Sequence, residues 1–156
     1  MKGQIETDRP NLGLEAQAEL DIAPIWRGVW GIEGRYDIVR ATFDDGSSVP
    51  KISPQRLGGG VYYRDGQWFA RIGLLHAFPQ TDISAFETMT GGYDLVKAEL
   101  SYTAKLPGDR SGLSEVKFGV VGDNLLNDDV RFAQSFKKDE VLQPGRAVKL
   151  FATVRF

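Results

Sequence analysis

Side chains able to do chemistry are sparse in this sequence. Its 156 residues include a single histidine, His76, and no cysteine, so there is no thiol nucleophile, no disulfide framework and no cysteine-based zinc site. A nucleophile and base pair would have to be built on His76. That residue stands in the run Gln67 to Phe78, at alternate positions with Trp68, Ala70, Ile72, Leu74 and Phe78, and no Ser or Asp partner for it is evident. A metal ligand needs companions that no second His or Cys supplies, so His76 reads as a packing or interfacial residue. The close acidic pairs are Asp44 with Asp45 and Asp128 with Asp129. Asp44 and Asp45 could ligate a hard cation, but loops are commonly acidic for solubility, and sequence neighbours rarely converge as a catalytic dyad. Gly58-Gly59-Gly60 is no phosphate cradle, because no helical pattern follows to supply an N-terminus. The expectation is a protein with no catalytic residues, no metal site and no cofactor.

Composition bounds the setting. Hydrophobic residues make up 42% and aromatic residues 11% of the chain, enough for one folded domain and far from a disordered composition. A net charge of -2 offers no electrostatic case for nucleic acid. No apolar run approaches the roughly 20 residues of a transmembrane helix. That test does not reach membrane β-strands, which need only about 10 residues, half of them polar, so a mean hydropathy of -0.26 is compatible with them. Residues 1–10 form a polar lead-in without the apolar core of a secretory signal. An exported protein would need one, so either it was removed or the chain is a piece of something longer.

The elements that carry these residues alternate with period two. In Asn11 to Ile22, Leu12, Leu14, Ala16, Ala18, Leu20 and Ile22 share one face, and Gly13, Glu15, Gln17, Glu19 and Asp21 the other. Ala23-Pro24 then reads as a break. Trp26 to Val39 resumes the pattern, with two tryptophans near the turn that fit an aromatic girdle. Arg56 to Tyr63 follows, its glycine tract marking a bulge, a bend or close backbone approach. Asp65-Gly66 signals a tight hairpin into Gln67 to Phe78. Tyr93 to Ala104 and Glu115 to Val121 are the next strands, and Ala147 to Phe156 is the seventh. In this last one Val148, Leu150, Ala152, Val154 and Phe156 take one face, and Lys149, Thr153 and Arg155 the other.

Connections alternate in length. Those at Ala23-Pro24, Asp65-Gly66 and Pro107 to Gly112 are short, and those at Asp44 to Pro50, Pro79 to Gly92 and Asn124 to Arg146 are long. An up-and-down membrane barrel has this rhythm, and a Greek-key sandwich has no reason to keep it. One face collects Glu15, Glu19, Glu33, Arg35, Arg71, Lys97, Glu99 and Lys117, costly in a small dry core but natural in a wet lumen. The opposite face is nearly free of charge. The expected fold is all-β: an antiparallel, up-and-down transmembrane β-barrel segment of about seven strands.

With the strands placed, the chain resembles the C-terminal part of the barrel of a TonB-dependent outer-membrane receptor over residues 11–156. The resemblance rests on Val49-Pro50 followed by Pro54-Gln55-Arg56-Leu57-Gly58, and on Phe86-Glu87-Thr88-Met89-Thr90-Gly91-Gly92-Tyr93. It rests also on Asp123-Asn124-Leu125-Leu126-Asn127, and on Pro144-Gly145-Arg146 leading to Phe156. Within the family the combination is similar to the zinc-uptake branch, although the histidine-rich loops of that branch are missing. The resemblance implies residence in the outer membrane of a Gram-negative bacterium, in contact with its lipid. It implies uptake of a scarce nutrient such as a metal ion, siderophore or haem, short periplasmic turns and long extracellular loops. The plug and the remaining strands of the receptor would lie outside this sequence, with the TonB system acting only through that plug. The barrel-assembly machinery would recognise the closing strand through Val148, Leu150, Ala152, Val154 and Phe156. Any ligand contact is expected on loops Asp44 to Ser53, Pro79 to Gly92 and Asn127 to Gln143. The competing expectation is a standalone small outer-membrane barrel with a structural or adhesive role.

Overall fold

The computed structural model describes residues 12–106 and 114–156. They form one antiparallel sheet of seven strands in sequence order, with no helix among the described residues. The strands are β1 (Leu12–Ile25), β2 (Gly28–Arg40), β3 (Arg56–Arg64), β4 (Trp68–Ala77), β5 (Tyr93–Lys105), β6 (Glu115–Asp123) and β7 (Ala147–Arg155). Among the described residues each pairs only with its neighbours in sequence, so β1 and β7 are free edges and the sheet is open. The expected polar lead-in and the Pro107 to Gly112 turn lie outside the described residues.

Register shows why alternation reads so cleanly. Leu20 stands opposite Ile32, Ile32 opposite Val61, Val61 opposite Ile72 and Ile72 opposite Ala98. Leu100, Val120 and Leu150 continue such a row across β5, β6 and β7. Because side chains one residue apart point to opposite faces, these cross-strand matches put every strand's apolar set on the same side.

One boundary departs from the sequence expectation. β1 does not break at Ala23-Pro24; a register irregularity lies between Asp21 and Ala23, and Pro24 pairs with Val29. Proline is tolerated there because β1 is an edge strand. The chain turns instead at Trp26-Arg27, with Trp26 at a φ of 57°, the left-handed geometry that two-residue hairpins need at their first turn position. Trp26 is therefore an exposed turn residue, while Trp30 lies on β2. The Asp65 hairpin forms as expected: its carboxylate accepts the backbone N–H groups of Gln67 at 2.7 Å and Trp68 at 2.6 Å. Those two bonds, Trp68 first, hold the Asp65 carboxyl below its ordinary range.

The glycine-rich middle of β3 has a packing reason. Glu33 on β2 extends its carboxylate across β3 to Arg71 on β4, where it accepts from Arg71 Nε through Oε1 at 2.7 Å. A Cβ on the intervening Gly60 would stand 2.7 Å from that same oxygen. The tract lets an ion pair span two inter-strand gaps. At Gly31 the Tyr62 ring covers the backbone of its own cross-strand partner and leaves no room for a Cβ. Buried hydrophobic residues are few, and the small cluster they form, Ala77, Tyr93 and Val130 with Leu95 against it, sits where the longest loop folds onto the sheet.

Candidate functional site: the concave face and the loop rim

The charged face is organised by cross-strand ion pairs. Arg64 reaches Asp21 at 2.7 Å, Arg56 reaches Asp37 at 2.7 Å, and Lys97 and Lys149 flank Asp123 at 3.0 and 2.8 Å. Lys117 with Glu99 at 3.7 Å and Arg155 with Glu115 at 3.8 Å are looser. All eight charged residues expected to share one face do so in register. Beneath the β6–β7 loop this face hollows into a trough of about 620 Å³ lined by charged residues and by Tyr93, Leu95 and Phe132.

The three long loops form a rim at one end of the sheet, and most of the motif residues meet there. Asn124 is 2% exposed. Its side chain accepts the Asp128 N–H at 2.9 Å and donates to the carbonyls of Asp128 at 2.9 Å and Pro144 at 3.3 Å. Asn127 accepts the Arg146 N–H at 2.9 Å, and a Cβ on Gly145 would stand 2.8 Å from that side chain's oxygen. Both asparagines are in the left-handed region, with φ of 48° and 58°, which this residue type tolerates better than most. Leu125 donates its N–H to Val96 on β5 at 2.9 Å. Asn124, Leu125, Asn127, Pro144, Gly145 and Arg146 thus act as a clasp joining the end of β6 to the start of β7.

A second group ties the loops to each other. Glu87 accepts backbone N–H groups from Lys51, the neighbour of Pro50, at 2.7 Å and from Ser84 at 3.1 Å. Partial burial would raise the Glu87 carboxyl, but those backbone bonds and the Lys138 charge outweigh it and hold it below the usual range. Lys138, 7% exposed, donates to the Thr88 carbonyl and to Thr90 Oγ1, while Thr88 Oγ1 donates to Asp139 at 2.7 Å. Gly92 packs against the Ala77 carbonyl, 2.6 Å from where its Cβ would be, and Tyr93 is buried beside Ala77 and Val130. Lys138, Asp139, Val130 and Phe132 carried no sequence signal, because their partners lie far away in the chain. Val148, Leu150, Ala152, Val154 and Phe156 join neither group and stay exposed on the apolar face.

The acidic pairs do not converge as a catalytic site. Asp45 accepts both the N–H and the hydroxyl of Ser47 and is held below its usual range by them, and Asp128 caps the Asp94 N–H at 2.7 Å. His76 does have a partner that the sequence reading missed: Asp94, directly opposite on β5, accepts from Nδ1 at 2.7 Å. The pair lies on the apolar face at its loop end, with Phe78 edge-on to the imidazole at 4.6 Å. Among the described residues no His, Cys, Asp and Glu cluster could hold a metal ion.

The apolar face has its own boundaries. At the short-turn end Trp30 contacts Tyr63 at 5.5 Å, Trp68 contacts Tyr102 at 4.8 Å and Tyr102 contacts Phe118 at 6.0 Å, an aromatic row over five strands. From Trp68 to His76 the strand rises about 26 Å at roughly 3.3 Å per residue. No family model matches the chain, and no curated protein matches it.

Proposed function

We propose that this chain is a wall segment of an outer-membrane β-barrel, the C-terminal part of a TonB-dependent receptor. In this reading it is a non-catalytic part of the uptake of a scarce nutrient such as a metal ion, siderophore or haem. The observation that carries the reading is the apolar face. Leu20, Ile32, Val61, Ile72, Leu100 and Leu150 are 58, 47, 43, 50, 46 and 84% exposed, in register across the sheet, between an aromatic row and a rim of polar loops. The chain exposes 11179 Å², against about 7,800 Å² for a compact water-soluble monomer of its mass. Water penalises an exposed apolar face that runs across the whole sheet, whereas hydrocarbon does not. A charged face behind it, rich in ion pairs, suits a hydrated lumen.

Two edges that are unpaired among the described residues support the segment reading over a standalone barrel. In lipid each unpaired N–H or C=O costs several kcal/mol by order of magnitude, so β1 and β7 need partner strands. In a receptor, further strands of the same polypeptide supply them, and the rim loops face the exterior. Outer membranes of the source organism, probed with an antibody to the β7 segment on unheated and boiled gels, test this. A heat-modifiable band several times larger than 17.3 kDa is expected. A heat-modifiable band at that mass would establish the standalone barrel instead, and recovery of the antigen in the soluble fraction would overturn both.

A further inference from the structure

The trough beneath the β6–β7 loop holds a loosely paired cation, Arg35. Asp37, 6% exposed, accepts from Arg56 Nε through Oδ1 at 2.7 Å. Its Oδ2 lies 3.6 Å from Arg35 Nη2, beyond hydrogen-bond reach. That approach is the only ion pair Arg35 makes among the described residues, and both Arg35 Nε and Asp37 Oδ2 are buried without a hydrogen-bond partner. Two guanidiniums therefore share one carboxylate. Of the other charges of the trough, Arg71 is engaged with Glu33, Lys97 with Asp123 and Glu99 with Lys117, whereas Glu19 makes no ion pair among the described residues. Glu19 stands opposite Glu33 on β1.

We propose that Arg35 and Arg56 bind the carboxylate of a small ligand entering the trough from the loop end, with its apolar body against Phe132. This deepens the uptake reading and rests on it, since it takes the concave face as the water side. A planar carboxylate matches a guanidinium fork in a way that a point cation would not exploit. Glu19, Glu33 and Glu99, which also line the trough, disfavour a more highly charged phosphate. The volume suits a small molecule, and the Phe132 ring, 41% exposed, offers it an apolar wall beside the charge.

The test uses the full chain folded in detergent micelles with isotope-labelled arginine, titrated with benzoate while the Nε–Hε signals of Arg35 and Arg56 are followed. A saturable shift of both is expected, half-complete at about millimolar benzoate, and absent with sodium chloride at equal ionic strength. Arg35→Gln, read at Arg56, should weaken binding about tenfold, and Arg35→Lys should restore only part of it. A non-saturating shift matched by chloride overturns the proposal, as does unchanged affinity in Arg35→Gln. N-acetylglutamate amide stands in for an acidic protein side chain; saturation by it at the same concentration as benzoate would assign the site to a polypeptide and overturn the ligand claim. The two readings fail separately. A chain that folds in water without detergent removes the membrane reading and leaves the titration to be run there, whereas a micellar chain without a saturable shift removes only the carboxylate site.

Discussion

The two faces of this sheet are built from the same strands, often from adjacent residues, yet they follow opposite rules. On the convex side Ile72 touches Val61 and Ala98 in register, and its neighbours are aliphatic; on the concave side Arg71, one residue away, reaches over a glycine to Glu33. A water-soluble sheet of this size would hide one face under a second layer. Here neither face is covered over most of its area, and the difference between them is chemical: one is apolar and the other carries the ion pairs. Packing energy is correspondingly thin at the surface, and hydrogen-bond ladders and cross-strand ion pairs hold the sheet.

The sharpest way to break that contrast is to put a charge where lipid is expected. Ile72→Lys, midway between the aromatic row and His76, should cost about 2–4 kcal/mol of folding stability in bilayers, measured by refolding into lipid vesicles. Leu75→Lys, on the concave side, should cost about 1 kcal/mol or less. Equal costs at the two positions would remove the distinction between the faces.

Glycines sharpen it next. Gly31→Val must displace the Tyr62 ring and should destabilise by about 1–3 kcal/mol in a urea titration. Gly13 has nothing within 4 Å of its would-be Cβ, and Gly13→Val should leave the midpoint unchanged or raise it.

At the rim, the depressed Glu87 carboxyl predicts a pH response. Its folded-state value lies below the ordinary one, so its contribution to loop order is complete above the unfolded value, about 4.3, and is lost as pH falls through the lower folded value. Amide exchange at Lys51 and Ser84 should quicken in that acidic window, and Glu87→Gln should abolish the change while leaving the strand amides untouched. The smallest effect belongs to Glu33→Gln. Arg71 is 51% exposed, and a pair of that kind is worth less than about 1 kcal/mol, so a double-mutant cycle with Arg71→Gln should return a coupling within that range.

Sequence periodicity alone determined a great deal. Seven strands, the face of each apolar residue, the Asp65 hairpin and the alternation of short and long joints could all be read from it, because a strand's period of two is local and its burial pattern is set by the solvent on each side. Proline was the misleading signal: Pro24 argues for a turn only if β1 has neighbours on both sides, and edge position is not a local property. Tertiary structure alone decided the rest. It set Asp94 opposite His76, brought Lys138 under Thr88 and Thr90, wrapped Asn124 around Pro144, and left Arg35 and Arg56 sharing Asp37. Each of those contacts depends on strand register or on a loop folding back across tens of residues, and distance along the chain carries no information about which polar groups will meet.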